Sequence, residues 1–277
     1  MKDYTLKYGK GSVTFALDEA HVTELYGTPV PKIDDIRAAL YATLSSPVSH
    51  EPLESWVNPG DKVALIVSDM SRFWMRQDLV VPHIISYLTD KCDVNQNNIT
   101  IIIANGTHPG GDENELRTLV TDGVYDRIRV VNHDCQAKDL VHIGTTSLGT
   151  EVRINPIAAN ADKVIMLGAC TYHVMAGYGG GRKSILPGIS GLETIRQNHL
   201  HSLDLLAPRS NPLIGNGVTD GNPLNEDMCQ AAAMVKNLFG INLVTNADMQ
   251  LAHIISGDPM KSWQLACHRV DEIYRVP

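Results

Sequence analysis

A chain of 277 residues is long enough for one large or two modest domains with an ample core. Its 43% hydrophobic and 19% charged residues are those of an ordinary globular protein, and a net charge of −8 with scattered Lys and Arg offers no basic patch for nucleic acid. Five cysteines, Cys92, Cys135, Cys170, Cys229 and Cys267, are odd in number and never in a C-x-x-C pair, which points to a reducing compartment, by default the cytoplasm, and away from a zinc knuckle.

The N-terminus has no apolar leader core, and no run reaches the eighteen or so apolar residues of a membrane span. Instead, YTLKYGKGSVTFAL alternates on both sides of a Gly9-Lys10-Gly11 turn and predicts a β-hairpin ending near Leu17, at a sheet edge. After Pro29 and Pro31, the spacing of Ile33, Ile36, Leu40 and Leu44 predicts a helix, with Asp34 and Asp35 suited to its first turn. The proline-bearing segment from Ser46 to Pro59 reads as a connection.

A βα rhythm follows. Strands are predicted over 62–69, 99–108, 127–134, 162–173 and 241–246, and helices over 79–90 (despite Pro82), 112–120, 192–201, 223–239 and 259–274. The strands are apolar throughout rather than at every second position, so both sheet faces are covered. The fold class is therefore α/β: a doubly wound, mostly parallel sheet with helices on both faces and an N-terminal β-hairpin.

In such sheets ligands bind beyond the carboxyl ends of the strands. Asp69 and Arg72 follow the first parallel strand, His108 the second, His133 the third and His173 the fourth. Asp69 and Arg72 also read as a local ion pair, but their position favours binding. His108 sits in the turn-rich GTHPGG and, like His173, suits a general acid or base. His133 reads as a surface strand-end residue, as do His21, His50, His83, His142, His253 and His268.

The glycine-rich stretch HVMAGYGGGRKSILPGISG, residues 173–191, belongs to the same rim. It is not a P-loop, because Arg182 stands where a glycine must precede Lys183, and no acidic residue completes a dinucleotide fingerprint. Lys183 reads either as a counter-charge to phosphate or carboxylate or as a covalent attachment point. His199 and His201, two positions apart, diverge by about 200° on a helix, so at most one faces the site. H-E-x-x-H, calcium-loop and G-x-S-x-G motifs are absent, and the rim residues fit acid–base chemistry at a carbon centre better than acyl transfer.

Four blocks in order, SDMSR, NGTHPGG, HVMAGYGGGRKSILPGISGLETIRQNH and DGNPLNEDMCQAA, are similar to the N-terminal domain of the nickel-pincer-nucleotide-dependent lactate racemase family. The resemblance runs from the opening hairpin to about residue 276. It implies that Lys183 is joined through a thioamide to a pyridinium-derived mononucleotide, and that His199 ligates nickel held by that cofactor's sulfur and carbon donors. It further implies His108 and His173 as paired acid–base residues, Asp69 and Arg72 as contacts to the ribose-phosphate, and Gly180 and Gly181 as backbone that admits the cofactor.

The implied activity is racemisation or epimerisation of a small 2-hydroxy acid by hydride transfer to the tethered cofactor. A positioned histidine alone contributes about 10²–10⁴-fold, too little for so poorly acidic a hydrogen. The implied partners are that substrate and the cofactor-biosynthesis enzymes, with no nucleic acid or membrane. Residues 1–270 are expected to form the cofactor-binding and catalytic domain and 271–277 to begin an inter-domain segment, the family's closing C-terminal domain being missing. The chain by itself is then expected to be inactive. Two other readings stand beside this one: a non-catalytic nucleotide- or carboxylate-binding module lacking nickel, and a hydrolase using an ordinary divalent metal.

Overall fold

Strands that are apolar at every position must be buried on both faces. In the computed structural model, which describes residues 1–9 and 11–276, they form the middle of a six-stranded sheet. The chain opens with β1 (Lys2–Tyr8) and β2 (Gly11–Leu17), paired antiparallel as a separate two-stranded sheet and not at the edge of the main one. Lys10 of the expected turn lies outside the described residues.

Helix α1 (Ile36–Ser45) starts one turn later than its apolar spacing suggests. Asp35 is its cap rather than a first-turn residue, and accepts the N–H of Ala38 at 2.9 Å. Then come α2 (Leu53–Trp56), β3 (Val63–Ser68), α3 (Val81–Asp90), β4 (Ile99–Ala104), α4 (Glu113–Val120), α5 (Asp122–Tyr125) and β5 (Arg129–Asn132). Pro82 sits in the first turn of α3, where its missing N–H has no helical partner to lose. Asp112 and Glu115 form a capping box on α4.

A hairpin of β6 (Val141–Thr145) and β7 (Glu151–Ile154) follows, then α6 (Pro156–Ala159), β8 (Lys163–Ala169), the two-residue strands β9 (Tyr172–His173) and β10 (Gly177–Tyr178), α7 (Leu192–Leu200) and α8 (Pro223–Ala233). The helix expected over 223–239 stops at Ala233. Asn237 takes a left-handed φ of 49°, and Leu238 already pairs with Val164. The chain ends with β11 (Leu238–Thr245), β12 (Leu251–Gly257) and α9 (Pro259–Tyr274). Neither β12 nor the β6–β7 hairpin was predicted: β6 and β7 are short, and β12, like them, gains its backbone partners only from a neighbouring strand.

The main sheet runs β12-β11-β8-β3-β4-β5, with β12 alone antiparallel. Alternate residues serve opposite faces: Leu65, Ile101 and Leu167 pack with Leu40, Ile84 and Leu116, while Ile66, Ile102 and Met166 pack with Ile195, Leu224 and Met228. Leu65 and Ile66 are fully buried, and side chains of that size contribute about 1.5–3 kcal/mol each. All five cysteines are free thiols. Among the described residues no helix is long and apolar enough to cross a membrane.

The order of strands fixes where a ligand can enter. From β3 the chain steps outward to β4 and β5, then returns to β8 and β11 on the other side of β3. Connections therefore leave the carboxyl ends of β3 and β8 in opposite directions, and a crevice opens between them.

One buried carboxylate ties the helices below that crevice. Asp227 of α8 accepts hydrogen bonds from Thr146 Oγ1 (2.5 Å), Thr150 Oγ1 (2.9 Å) and Asn198 Nδ2 of α7 (2.8 Å). Asp227→Ala strands these donors and is expected to lower the unfolding free energy by about 2–4 kcal/mol, measured by urea denaturation. An unchanged midpoint and slope would show that the tie carries no stability.

Candidate active site

A cavity of about 400 Å³ occupies the crevice. Asp69 and Arg72 reach it from the end of β3, His108 from the end of β4, His173 from β9, Gly180 and Lys183 from the glycine-rich stretch and His199 from α7. These residues span more than 120 positions of sequence, and the switch in strand order gathers them. His201 turns away, its Nε2 lying 3.9 Å from Asp227. His133, expected at the surface, is buried: Nε2 donates to Ser190 O (2.9 Å) and Nδ1 accepts from Asn155 Nδ2 (3.3 Å), a structural role.

Gly180 and Gly181 do different jobs. Gly180 has φ 71°, and a Cβ there would lie 3.0 Å from the Ala169 carbonyl, so only bare backbone fits along this wall. Gly181 does not line the cavity. It is buried at φ 50°, gives its N–H to Asn242 Oδ1 (3.1 Å), and a Cβ would meet Trp263 at 2.7 Å.

Beneath the loop lies a residue whose part in the site the sequence did not disclose. Arg182 is fully buried and has no carboxylate partner among the described residues. Its guanidinium donates to the carbonyls of Ala176 (2.7 Å), Tyr178 (2.9 Å) and Gly179 (3.3 Å) and to Asn225 Oδ1 (2.6 and 2.9 Å), and stacks 3.8 Å from the Trp263 ring centre. The only local signal was an arginine beside Lys183; Asn225 and Trp263 lie too far along the chain to carry one.

Hydrogen bonds define the chemistry of each histidine. His108 Nδ1 is 2.6 Å from Asp69 Oδ2, while Asp69 Oδ1 accepts from Ser71 Oγ at 2.6 Å. Both Asp69 oxygens are thus engaged, so the residue backs His108, and it makes no ion pair with Arg72. A carboxylate only accepts, so Nδ1 of His108 carries a proton, and in the neutral ring Nε2 holds the lone pair. His199 behaves alike: Nδ1 donates to Ile195 O at 2.9 Å and Nε2 is left as a donor atom for a metal. His173 is reversed, its Nδ1 accepting the N–H groups of Met175 (3.2 Å) and Ala176 (3.1 Å).

The cavity is electropositive within an acidic protein. Asp69 is its one lining carboxylate among the described residues, against Arg72 and Lys183 with Arg182 below. Burial first, then Arg182 and Arg72, lower the Lys183 amine to about 7. Burial, then Lys183 and Arg72, push His173 down to about 3, and burial also lowers His199. The set suits an anionic ligand, an amine free to form a covalent bond near neutral pH, and a single imidazole donor to a metal. Among the described residues no group of three or more His, Cys, Asp or Glu could hold a metal ion, so a metal here takes its other donors from a ligand.

The amine has a measurable consequence. Lys183 is expected to react with acetic anhydride in competitive labelling with an apparent pKa near 7, well below the surface lysines; a value near 10.5 would overturn its lowered basicity. Since the unfolded amine titrates near 10.4, the unfolded chain binds more protons between that value and the folded one. Stability should therefore rise with pH across that window, by up to ~1.4 kcal/mol per unit, and Lys183→Met should abolish this increment.

The chain matches the family model described as the lactate racemase N-terminal domain over residues 8–209. It is 27% identical to a lactate racemase of Thermoanaerobacterium thermosaccharolyticum, with 100% of this chain and 64% of that protein covered. A lactate racemase of Lactiplantibacillus plantarum is also 27% identical, with coverage of 98% and 63%. The fold superposes on the lactate racemase apoprotein structure from T. thermosaccharolyticum with a TM-score of 0.88 at 25% identity, covering 99% of this chain and 63% of that one. The chain thus spans less than two thirds of the length of these relatives. With the family match running from the end of β1 past α7, through every residue that lines the cavity, the chain belongs to the lactate racemase N-terminal domain family.

Proposed function

We propose that this chain is the cofactor-holding part of a racemase or epimerase of a small 2-hydroxy acid. The observation that carries the reading is the convergence of an amine of lowered basicity at Lys183, a bare imidazole lone pair at His199 and a carboxylate-backed imidazole at His108 on one cavity. The residues fit a nickel-pincer nucleotide: Lys183 is the attachment point, His199 a nickel ligand, and Arg72 with the bare backbone at Gly180 receives the anionic nucleotide portion. When bound, that group supplies a reversible hydride acceptor, which no side chain in the cavity can.

The protein's own task is then proton handling and positioning. The Nε2 lone pair of His108 takes the substrate's hydroxyl proton, and Asp69 stabilises the imidazolium so formed. Arg72 offers a positive charge for a carboxylate or phosphate. His173 stands on the same cavity, and the resemblance makes it the second of the paired acid–base residues. We further assign residues 1–270 to the cofactor-binding domain, and the connection expected over 271–277 begins later than that, since Asp271 accepts from Tyr172 and Tyr178 and buried Ile273 still belongs to α9. The greater length of the relatives supports a second domain that would close the cavity. Loading requires cofactor-biosynthesis enzymes as partners, in the cytoplasm.

Co-expression with cofactor-making enzymes tests the reading. Intact mass and nickel content are expected to show an adduct and nickel that both vanish in Lys183→Ala, and chiral chromatography to show racemisation of 2-hydroxy acids that falls at least ~100-fold in His108→Ala. An unmodified Lys183 without nickel would favour a nucleotide- or carboxylate-binding module instead.

A further inference from the structure

Resting on the reading of this chain as part of a longer racemase, we infer that the apolar face of the β1–β2 hairpin is a docking surface for the second domain of the same polypeptide, the domain that would follow α9.

The hairpin is amphipathic and stands apart from the main sheet. Its register sets Tyr4 opposite Phe15, Leu6 opposite Val13 and Lys2 opposite Leu17, and residues directly opposed share a face. Tyr4, Leu6, Tyr8, Val13, Phe15 and Leu17 therefore fall on one side, where the rings of Tyr4 and Phe15 stack at 6.4 Å. On the other side the hydroxyls of Thr5 and Thr14 meet at 2.8 Å. None of the six apolar side chains belongs to a buried core, and Leu6 is 60% and Tyr8 77% exposed. A two-stranded ribbon is marginal in water, and a contiguous bare apolar face on it calls for a cover.

The size and place of the face select that cover. Strands of seven residues, rising about 3.4 Å per residue and lying about 4.8 Å apart, present only a few hundred Å². Separate molecules in a stable complex bury about 800 Å² each, so this face is too small to hold a second copy. A partner on the same polypeptide needs less area, because its effective concentration is high. Such a partner starts beside the hairpin. Lys2 pairs with Glu24, the N–H of Thr28 donates to Ile273 O at 2.8 Å, and a Cβ on Gly27 would lie 2.3 Å from that oxygen. The segment leaving the hairpin thus packs on the last turn of α9, and the unmatched part of the longer relatives is large enough for a domain. With the hairpin docked, that domain is joined to this one at two adjacent points, before Thr28 and after Tyr274, which confines its movement to a hinge there.

Hydrogen exchange on the full-length gene product tests this without cofactor. Amides of β1 and β2 are expected to exchange at least ~100-fold more slowly there than in the chain of 277 residues. Phe15→Asp should remove that protection, and Thr14→Asp, on the polar face, should keep it. Protection of the main sheet in both variants separates lost docking from lost folding. Equal exchange of the hairpin in the two chain lengths would overturn the inference, as would protection that survives Phe15→Asp or a gene product with no domain after α9. Protection in the shorter chain that grows with its concentration would overturn it in favour of a second copy. A full-length protein with a protected hairpin that takes up neither adduct nor nickel would sink the racemase reading alone.

Discussion

The guanidinium of Arg182 is the constraint on which the site depends. A buried charge is tolerated only when its donors are satisfied, and here the acceptors are the backbone carbonyls of the glycine-rich loop itself, with Asn225 completing the set. Meeting that demand pulls the carbonyls of Ala176 and Tyr178 inward and folds the loop around the side chain. The indole of Trp263 closes the other side, stacking on the guanidinium and donating to Gly179 O at 2.9 Å. Lysine could not replace it, because the cage is read by a planar fork of donors rather than by a point charge. With Arg182 turned down into the protein, its neighbour Lys183 lines the cavity.

The same charge acts at a distance. Burial is the larger cause of the lowered basicity of Lys183 and His173; Arg182, which pairs with no carboxylate among the described residues, adds its field to that of Arg72. An acidic protein thereby keeps a local positive pocket in which the amine is readily deprotonated and one imidazole stays uncharged. Asp69 relieves this field at a single point, beside His108. Burial and charge placement, more than the identity of the side chains, therefore separate the tasks of residues that look interchangeable in sequence.

Most of the framework was legible along the chain. Continuous apolar strands alternating with helices announced a two-sided parallel sheet, and polar residues just after those strands announced its binding rim. Asp69, Arg72, His108, His173, Lys183 and His199 do meet at that rim. Elements held by partners distant in sequence were less visible: β12 takes its hydrogen bonds from β11, and His133 is buried because Asn155 and Ser190 come to it. Gly181 looked like cavity wall, yet its bare face admits the indole of Trp263 behind the loop.

Sequence by itself determined the layers of the fold, the edge at which a ligand is received and the set of side chains near it, because each follows from short-range periodicity and from position relative to a strand end. Only the tertiary structure decided what those side chains are chemically. Which nitrogen of each histidine bears the proton depends on a carboxylate from another strand, on a helix carbonyl or on two backbone N–H groups. The lowered basicity of Lys183 depends on burial and on a guanidinium whose anchors lie on α8 and α9. Protonation responds to fields and donors in space, and no spacing along the chain encodes them.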